Sequence, residues 1–203
     1  TTAHSVASAR PRTAAAEQCA QQSKDLGRNA GAAESWIYTA LTKEPPKDLL
    51  EFCGDFYSPY YYFMYLAAFA LNGIAVELGV ESGRGSLALA LAGKRVFGID
   101  TNADRLRLSH PKFTFLHQPS MPVPDSIKGS ISLLHIDTEH SYAMAKAEFE
   151  AYQPYLARPA VVIFDDLHAM EDGVLRYFME LPYPKIMDDR MHPQTGWGVL
   201  LYD

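Results

Sequence analysis

Cysteine is scarce in this chain. Only Cys19 and Cys53 occur in 203 residues, with no CxxC and no repeated spacing, which argues against a disulfide-stapled fold and a cysteine-based zinc site. A reducing, cytoplasmic setting fits that usage. Basic clusters are absent too: 18 Lys and Arg stand against 24 Asp and Glu, for a formal net charge of −6. Nucleic acid and anionic membrane surfaces are therefore not the expected partners, and small molecules are. The longest uncharged apolar run, YYYFMYLAAFALNGIAV, is rich in aromatics and broken by Asn72-Gly73, so it reads as a helix entering a strand and not as a membrane span. The start, TTAHSVASARPRTAAAEQCAQQ, lacks a methionine and a central apolar run. It does not read as a secretory signal, although a trimmed leader stays open.

What remains is 48% hydrophobic and long enough for one well-buried core. Residues 1–30 are rich in Ala, Ser, Thr and Gln and read as a flexible or helical extension, which could be exchanged between subunits of a homo-oligomer. Residues 31–203 then form a single domain. SWIYTALTK, DLLEFC and SPYYYFMYLAAFAL read as helices within residues 31–73, with Pro59 opening the last. From residue 74 the pattern changes. IAVEL, RVFGI, FTFL, ISLLHI and AVVIF are near-continuous apolar strands of the kind covered on both faces. RGSLALALAG and SYAMAKAEFEAYQPYL read as helices between them, the second burying Tyr142, Ala145, Phe149, Tyr152 and Leu156. PKIMDDRMHPQTGWGVLLYD holds two strands with no helix between, an antiparallel hairpin. The expected fold is α/β: a doubly wound, Rossmann-like, seven-stranded sheet, mostly parallel, with strands 3-2-1-4-5 in order, a terminal antiparallel hairpin and helices on both faces.

The first strand runs into a glycine-rich turn, VELGVESGRGS. Its spacing, G-x-x-x-G-x-G, is not the dinucleotide fingerprint, and no Lys-Ser/Thr follows as a P-loop requires. Glu77 precedes the turn and Asp100 ends the second strand, placed to accept hydrogen bonds from ribose hydroxyls. These residues resemble class I S-adenosylmethionine-dependent methyltransferases, whose first motif is an acid followed by glycines and whose second is an acid at the tip of strand two. The resemblance implies that Glu77, Gly79, Gly83, Gly85, Ser86 and Asp100 bind the cofactor. It also places Ser120, in HQPSMP after the third strand, at the adenine.

Asp137 ends the fourth strand, in HIDTEHSY, and Asp165 and Asp166 end the fifth, in VVIFDDLH. Neighbouring strand tips lie about 5 Å apart, so three carboxylates converge, with Asp137 bordering the cofactor as well. A hard divalent cation resolves their repulsion. Magnesium is expected, calcium or manganese would also fit, and zinc is disfavoured because no cysteine or paired histidine joins the set. ELGVESGRGS, HIDTEHSY and VVIFDDLH together resemble the metal-dependent O-methyltransferases of the macrocin O-methyltransferase and cephalosporin hydroxylase-like group, over about residues 70–203. The resemblance implies that Asp137, Asp165 and Asp166 hold magnesium and that the acceptor is a small-molecule hydroxyl, such as that of a natural-product sugar. The chain departs from that group in having Asp137-Thr138 for Asp-Gly and ARPA for Pro-Gly-Gly.

A base is needed to take the acceptor proton. His168, two residues after the Asp pair, is the first choice and Glu139 the second. His140 and Tyr142 read as loop supports or substrate contacts, His135 as a satisfied core residue, and Trp197 as packing. Two alternatives stay open: a non-catalytic protein that binds S-adenosylmethionine or a nucleotide, and a diverged hydroxylase-like activity on the same scaffold.

Overall fold

The computed structural model describes residues 29–190 and 194–203. Residues 1–28, the bulk of the expected N-terminal extension, lie outside the described part. Three helices come first: α1 (Asn29–Thr42), α2 (Lys47–Cys53) and α3 (Pro59–Ala70). In α3, Pro59 stands where a missing N–H costs nothing, and the Ser58 hydroxyl caps the helix by accepting the Tyr60 N–H at 3.3 Å. The alternating part follows as β1 (Ile74–Leu78), α4 (Arg84–Leu91), β2 (Val96–Asp100), β3 (Phe113–His117), β4 (Ile131–Ile136), α5 (Tyr142–Tyr152) and β5 (Leu156–Phe164). It closes with α6 (Val174–Glu180), β6 (Lys185–Asp188) and β7 (Trp197–Tyr202).

The seven strands form one sheet in the order β3-β2-β1-β4-β5-β7-β6. The first five are parallel, and β7 runs antiparallel between β5 and β6. Strand alternation divides the core in two. Ala75, Leu133, Val161, Ile163 and Val199 point to the side covered by α1 to α4. Val76, Leu78, Leu134, Ile136, Val162, Phe164 and Leu200 point to the side covered by α5 and α6. This is the expected architecture, and it explains why the central strands show no polar alternation. Among the described residues, no helix is long and apolar enough to cross a membrane.

Two local differences from the sequence reading have simple causes. Helix α5 stops at Tyr152, because Pro154 enters a short 3-10 turn (Gln153–Tyr155), and Leu156 opens β5 instead of extending the helical face. Helix α6 gives no long periodic signal. It is seven residues between Gly173 and Leu181, and it forms because Val174, Tyr177 and Phe178 bury against the sheet.

Trp197 opens β7 fully buried, its ring 4.6 Å from that of Phe63 and 5.3 Å from that of Tyr60. It is a packing residue that joins the last strand to α3. Trp197→Ala is expected to cost about 3–5 kcal/mol of unfolding free energy in a urea titration, as for other large aromatic truncations in a core.

Candidate active site

The turn after β1 is shaped by close approaches. Gly79 has φ of 81°, and a Cβ there would lie 1.7 Å from the Asp137 carbonyl oxygen, so only glycine lets the first and fourth strand tips close on each other. Asp100 secures the turn from the neighbouring strand. Its Oδ2 accepts the N–H groups of Val80 at 2.8 Å and Glu81 at 3.1 Å, and its Oδ1 accepts that of Asn102 at 2.8 Å. Partial burial works against ionisation, but the backbone N–H groups of Asn102, Val80, Glu81 and Thr101 outweigh it and hold the Asp100 carboxyl below the usual range.

Glu77 faces the other way. Being in phase with Ala75 along β1, it points to the helix side and is buried there with His135, whose Nδ1 lies 3.0 Å from Glu77 Oε1. The Ser86 hydroxyl donates to Glu77 Oε2, and the Tyr60 hydroxyl is hydrogen-bonded to His135 Nε2. A Cβ on Gly85 would lie 2.0 Å from Glu77 Oε1, so glycine is required for α4 to seat against the pair. Burial opposes protonation of His135, but the Glu77 carboxylate, with Asp137 and Asp165 beyond it, raises the imidazole to about 9.

The three aspartates reach the same sheet edge, each beside a histidine. His140 Nε2 lies 3.1 Å from Asp137 Oδ1 and 3.5 Å from Asp166 Oδ2. His135 Nε2 lies 3.9 Å from Asp165 Oδ2. Asp165 Oδ1 accepts the Asp166 N–H at 2.9 Å, and the Thr195 hydroxyl donates to Asp166 Oδ1. Two overlapping sets, His135 with Asp137 and Asp165, and Asp137 with His140 and Asp166, each have ligand atoms within 4.8 Å of one another. Each set holds one histidine and no cysteine beside its two aspartates. The hydrogen bond to Asp137 raises the His140 pKa against partial burial, helped by Asp166 and Asp165. Both His140 (φ 63°) and Asp166 (φ 52°) adopt left-handed backbone, a strained conformation for residues other than glycine.

A cavity of about 380 Å³ opens between the tips of β1, β2 and β4. Of the residues expected at the site, Gly79, Asp100, Ser120, Asp137 and Glu139 line it. Residues 76–167, from the middle of β1 to just past the Asp165-Asp166 pair, match a family model described as a methyltransferase domain. That stretch is similar to a methyltransferase domain. The seven-stranded architecture around it is that of the Rossmann-like methyltransferase fold.

Other comparisons agree on the fold. The chain is similar to an uncharacterized protein, y4gI, of Sinorhizobium fredii, at 30% identity over 152 residues, covering 72% of this chain and 16% of that protein. The chain thus spans about a sixth of the length of that relative. Among solved structures, Rv0187 from MTB, in a cofactor-bound state, aligns with a TM-score of 0.57 at 16% identity, covering 95% of this chain and 98% of that one. CalS11, a TDP-rhamnose 3'-O-methyltransferase of calicheamicin biosynthesis, aligns with 0.53 at 16% identity, covering 86% and 94%. The SAH-bound methyltransferase PaMTH1 of Podospora anserina aligns with 0.53 at 12% identity, covering 98% and 100%.

The remaining residues expected at the site lie off the cavity wall. Gly83 packs on Leu108, Gly85 and Ser86 on Glu77, and Asp165 and Asp166 lie in the adjoining cluster. His168 is directed elsewhere: its ring Nε2 is 3.3 Å from Asp189 Oδ1 and its N–H donates to the Thr195 carbonyl at 2.7 Å. The Tyr142 hydroxyl donates to Glu180 at 2.6 Å, linking α5 to α6.

Glu148 was not expected at all. Fully buried on α5, it accepts hydrogen bonds from the hydroxyls of Ser120 at 2.6 Å and Thr138 at 2.8 Å. Burial raises its pKa, partly offset by those two hydroxyls. A signal was available: Glu148 falls on the same helical face as Ala145, Phe149 and Tyr152, an acid on an otherwise apolar stripe.

The Glu77–His135 pair makes stability depend on pH with a definite sign. Because the folded-state pKa of His135 is raised from 6.5 to about 9, its contribution is complete below about pH 6.5 and is lost as pH rises through about 9. Urea titrations between about pH 7 and pH 10 are expected to show a steeper loss in the wild type than in His135→Gln; parallel pH profiles would refute this assignment.

Proposed function

We propose that the domain transfers a methyl group from S-adenosylmethionine to a hydroxyl of a small molecule, with magnesium or another hard divalent cation at the aspartate cluster. One observation carries this reading: a single cavity joins the Asp100 end of the glycine-rich turn to Asp137 and Glu139. Cofactor-holding and acceptor-activating groups then face one volume, as transfer between two bound reactants requires.

The donor set suits both groups. Asp100, fixed by backbone N–H groups and ionised, retains lone pairs for ribose hydroxyls, and Gly79 leaves room for close approach of backbone to ligand. Asp137, Asp165 and Asp166 offer the oxygen ligands that a hard cation takes, and the two histidines meanwhile relieve their mutual repulsion. When bound, the cofactor supplies a methyl activated by its sulfonium, and the cation lowers the pKa of an acceptor hydroxyl. The chain's own part is to orient the acceptor, exclude water and take its proton. Of the two expected bases, Glu139 lines the cavity and His168 does not, so we assign the proton-accepting role to Glu139. A vicinal diol, as in a sugar, presents two oxygens to the cluster, and CalS11, of like fold, is named for a sugar methylation.

Titration calorimetry with S-adenosylmethionine, with and without magnesium, tests the reading. Heat in both conditions, and metal-dependent methylation that disappears in Asp166→Asn, is the expected result. Absence of heat in either condition would overturn cofactor binding, and metal-independent turnover by Asp166→Asn would overturn the metal role. For the base, Glu139→Gln is expected to lower kcat by about 10²–10⁴-fold while His168→Asn changes it little; the reverse order would restore His168.

A further inference from the structure

The cavity wall holds a carboxylate whose two oxygens are already engaged, and it decides what a ligand meets. Glu148 is fully buried, and its two oxygens take the Ser120 and Thr138 hydroxyl protons, one each. A hydroxyl has a single proton to give. Both residues line the cavity, so what they turn toward a ligand is lone pairs only. The Ser120 end is held from the other side as well, by the Tyr152 hydroxyl donating to its carbonyl at 2.6 Å. Beside this edge, Ile99, Pro119 and Met144 supply apolar wall, the surroundings that suit a flat heterocycle.

We propose that Glu148 is a positioning residue that sets the hydrogen-bonding sense of this edge, making it select a planar heterocycle that presents an amino group over one that presents an oxo group. The inference rests on the reading of the cavity as an S-adenosylmethionine site, and the amino group is then the 6-amino group of adenine. The selectivity is indirect. Glu148 holds two hydroxyls in their accepting orientation, and Ser120 makes the contact. A base with an oxo group at that position offers acceptor to acceptor and leaves buried lone pairs facing one another, which a site of this kind rejects strongly.

The test uses two stable ligands, S-adenosylhomocysteine and its 6-oxo counterpart S-inosylhomocysteine, titrated calorimetrically into the wild type, Glu148→Gln and Ser120→Ala. The wild type is expected to prefer the amino ligand by roughly 100-fold. In Glu148→Gln the amide donates to one hydroxyl, whose own proton becomes free to meet an oxo group, and the preference is expected to shrink by about tenfold or more. Ser120→Ala should weaken the amino ligand by about tenfold and strengthen the oxo ligand, whose opposing lone pairs it removes, which decides the matter if Glu148→Gln does not fold. A parallel loss of both ligands in the variants would show a structural role only and overturn the proposal. Equal binding of both ligands by the wild type would overturn it as well. No binding of S-adenosylhomocysteine by the wild type would instead remove the cofactor reading on which it stands.

Discussion

The buried pairing of Glu77 with His135 is the constraint around which the domain is assembled. Taking two ionisable groups out of water is costly, and it is sustained only where geometry is good and the remaining polar atoms are satisfied. Here both conditions hold: Ser86 of α4 serves the carboxylate and Tyr60 of α3 serves the imidazole. The pair joins β1 to β4 at matched register, since Glu77 and His135 are direct neighbours across the two strands. Gly85 is glycine because α4 must come down onto the carboxylate, and Asp165 lies close on the far side of the imidazole. The glycine-rich turn and the acidic edge are therefore held by one internal network.

That arrangement explains how so many acids coexist at one edge. Asp100 is neutralised by backbone dipoles, Glu148 by hydroxyls and burial, and the aspartate cluster by two imidazoles. Each solution is different because each group stands at a different depth. Asp100 is near solvent and can stay ionised on hydrogen bonds alone, whereas Glu148, fully buried, needs partners at both oxygens. The strained backbone at His140 and Asp166 falls where two of these groups are brought face to face.

Much of this was legible before any coordinates. The apolar strands, the reversed hairpin and the acid-and-glycine turn each carry a local pattern, and their order along the chain specifies the sheet. What escaped the sequence depends on direction more than on position. Alternation puts Glu77 on the face of β1 covered by α1 to α4, so the acid beside the glycine-rich turn serves the core; the residue number does not say which face it takes. His140 and His168 follow their respective aspartates at similar spacing, but a left-handed residue turns the first inward while Asp189 holds the second outside. Glu148 was hidden because an acid in an amphipathic helix reads as solvated until its face is checked. The contact between Tyr60 and His135 spans 75 positions, a range over which no periodicity operates.

The place of β7 has a consequence for how the chain reaches its fold. Every residue of Trp197–Tyr202 is buried, and the strand lies inside the sheet with β5 on one side and β6 on the other. Until it arrives, β5 presents an open edge and β6 has no neighbour, although both precede it in synthesis. Adding it fills a gap instead of extending a border, and its side chains enter both cores, Trp197, Val199 and Leu201 on one face and Leu200 on the other. A chain without β7 would leave the apolar edge of β5 open, and such an edge invites pairing with another strand.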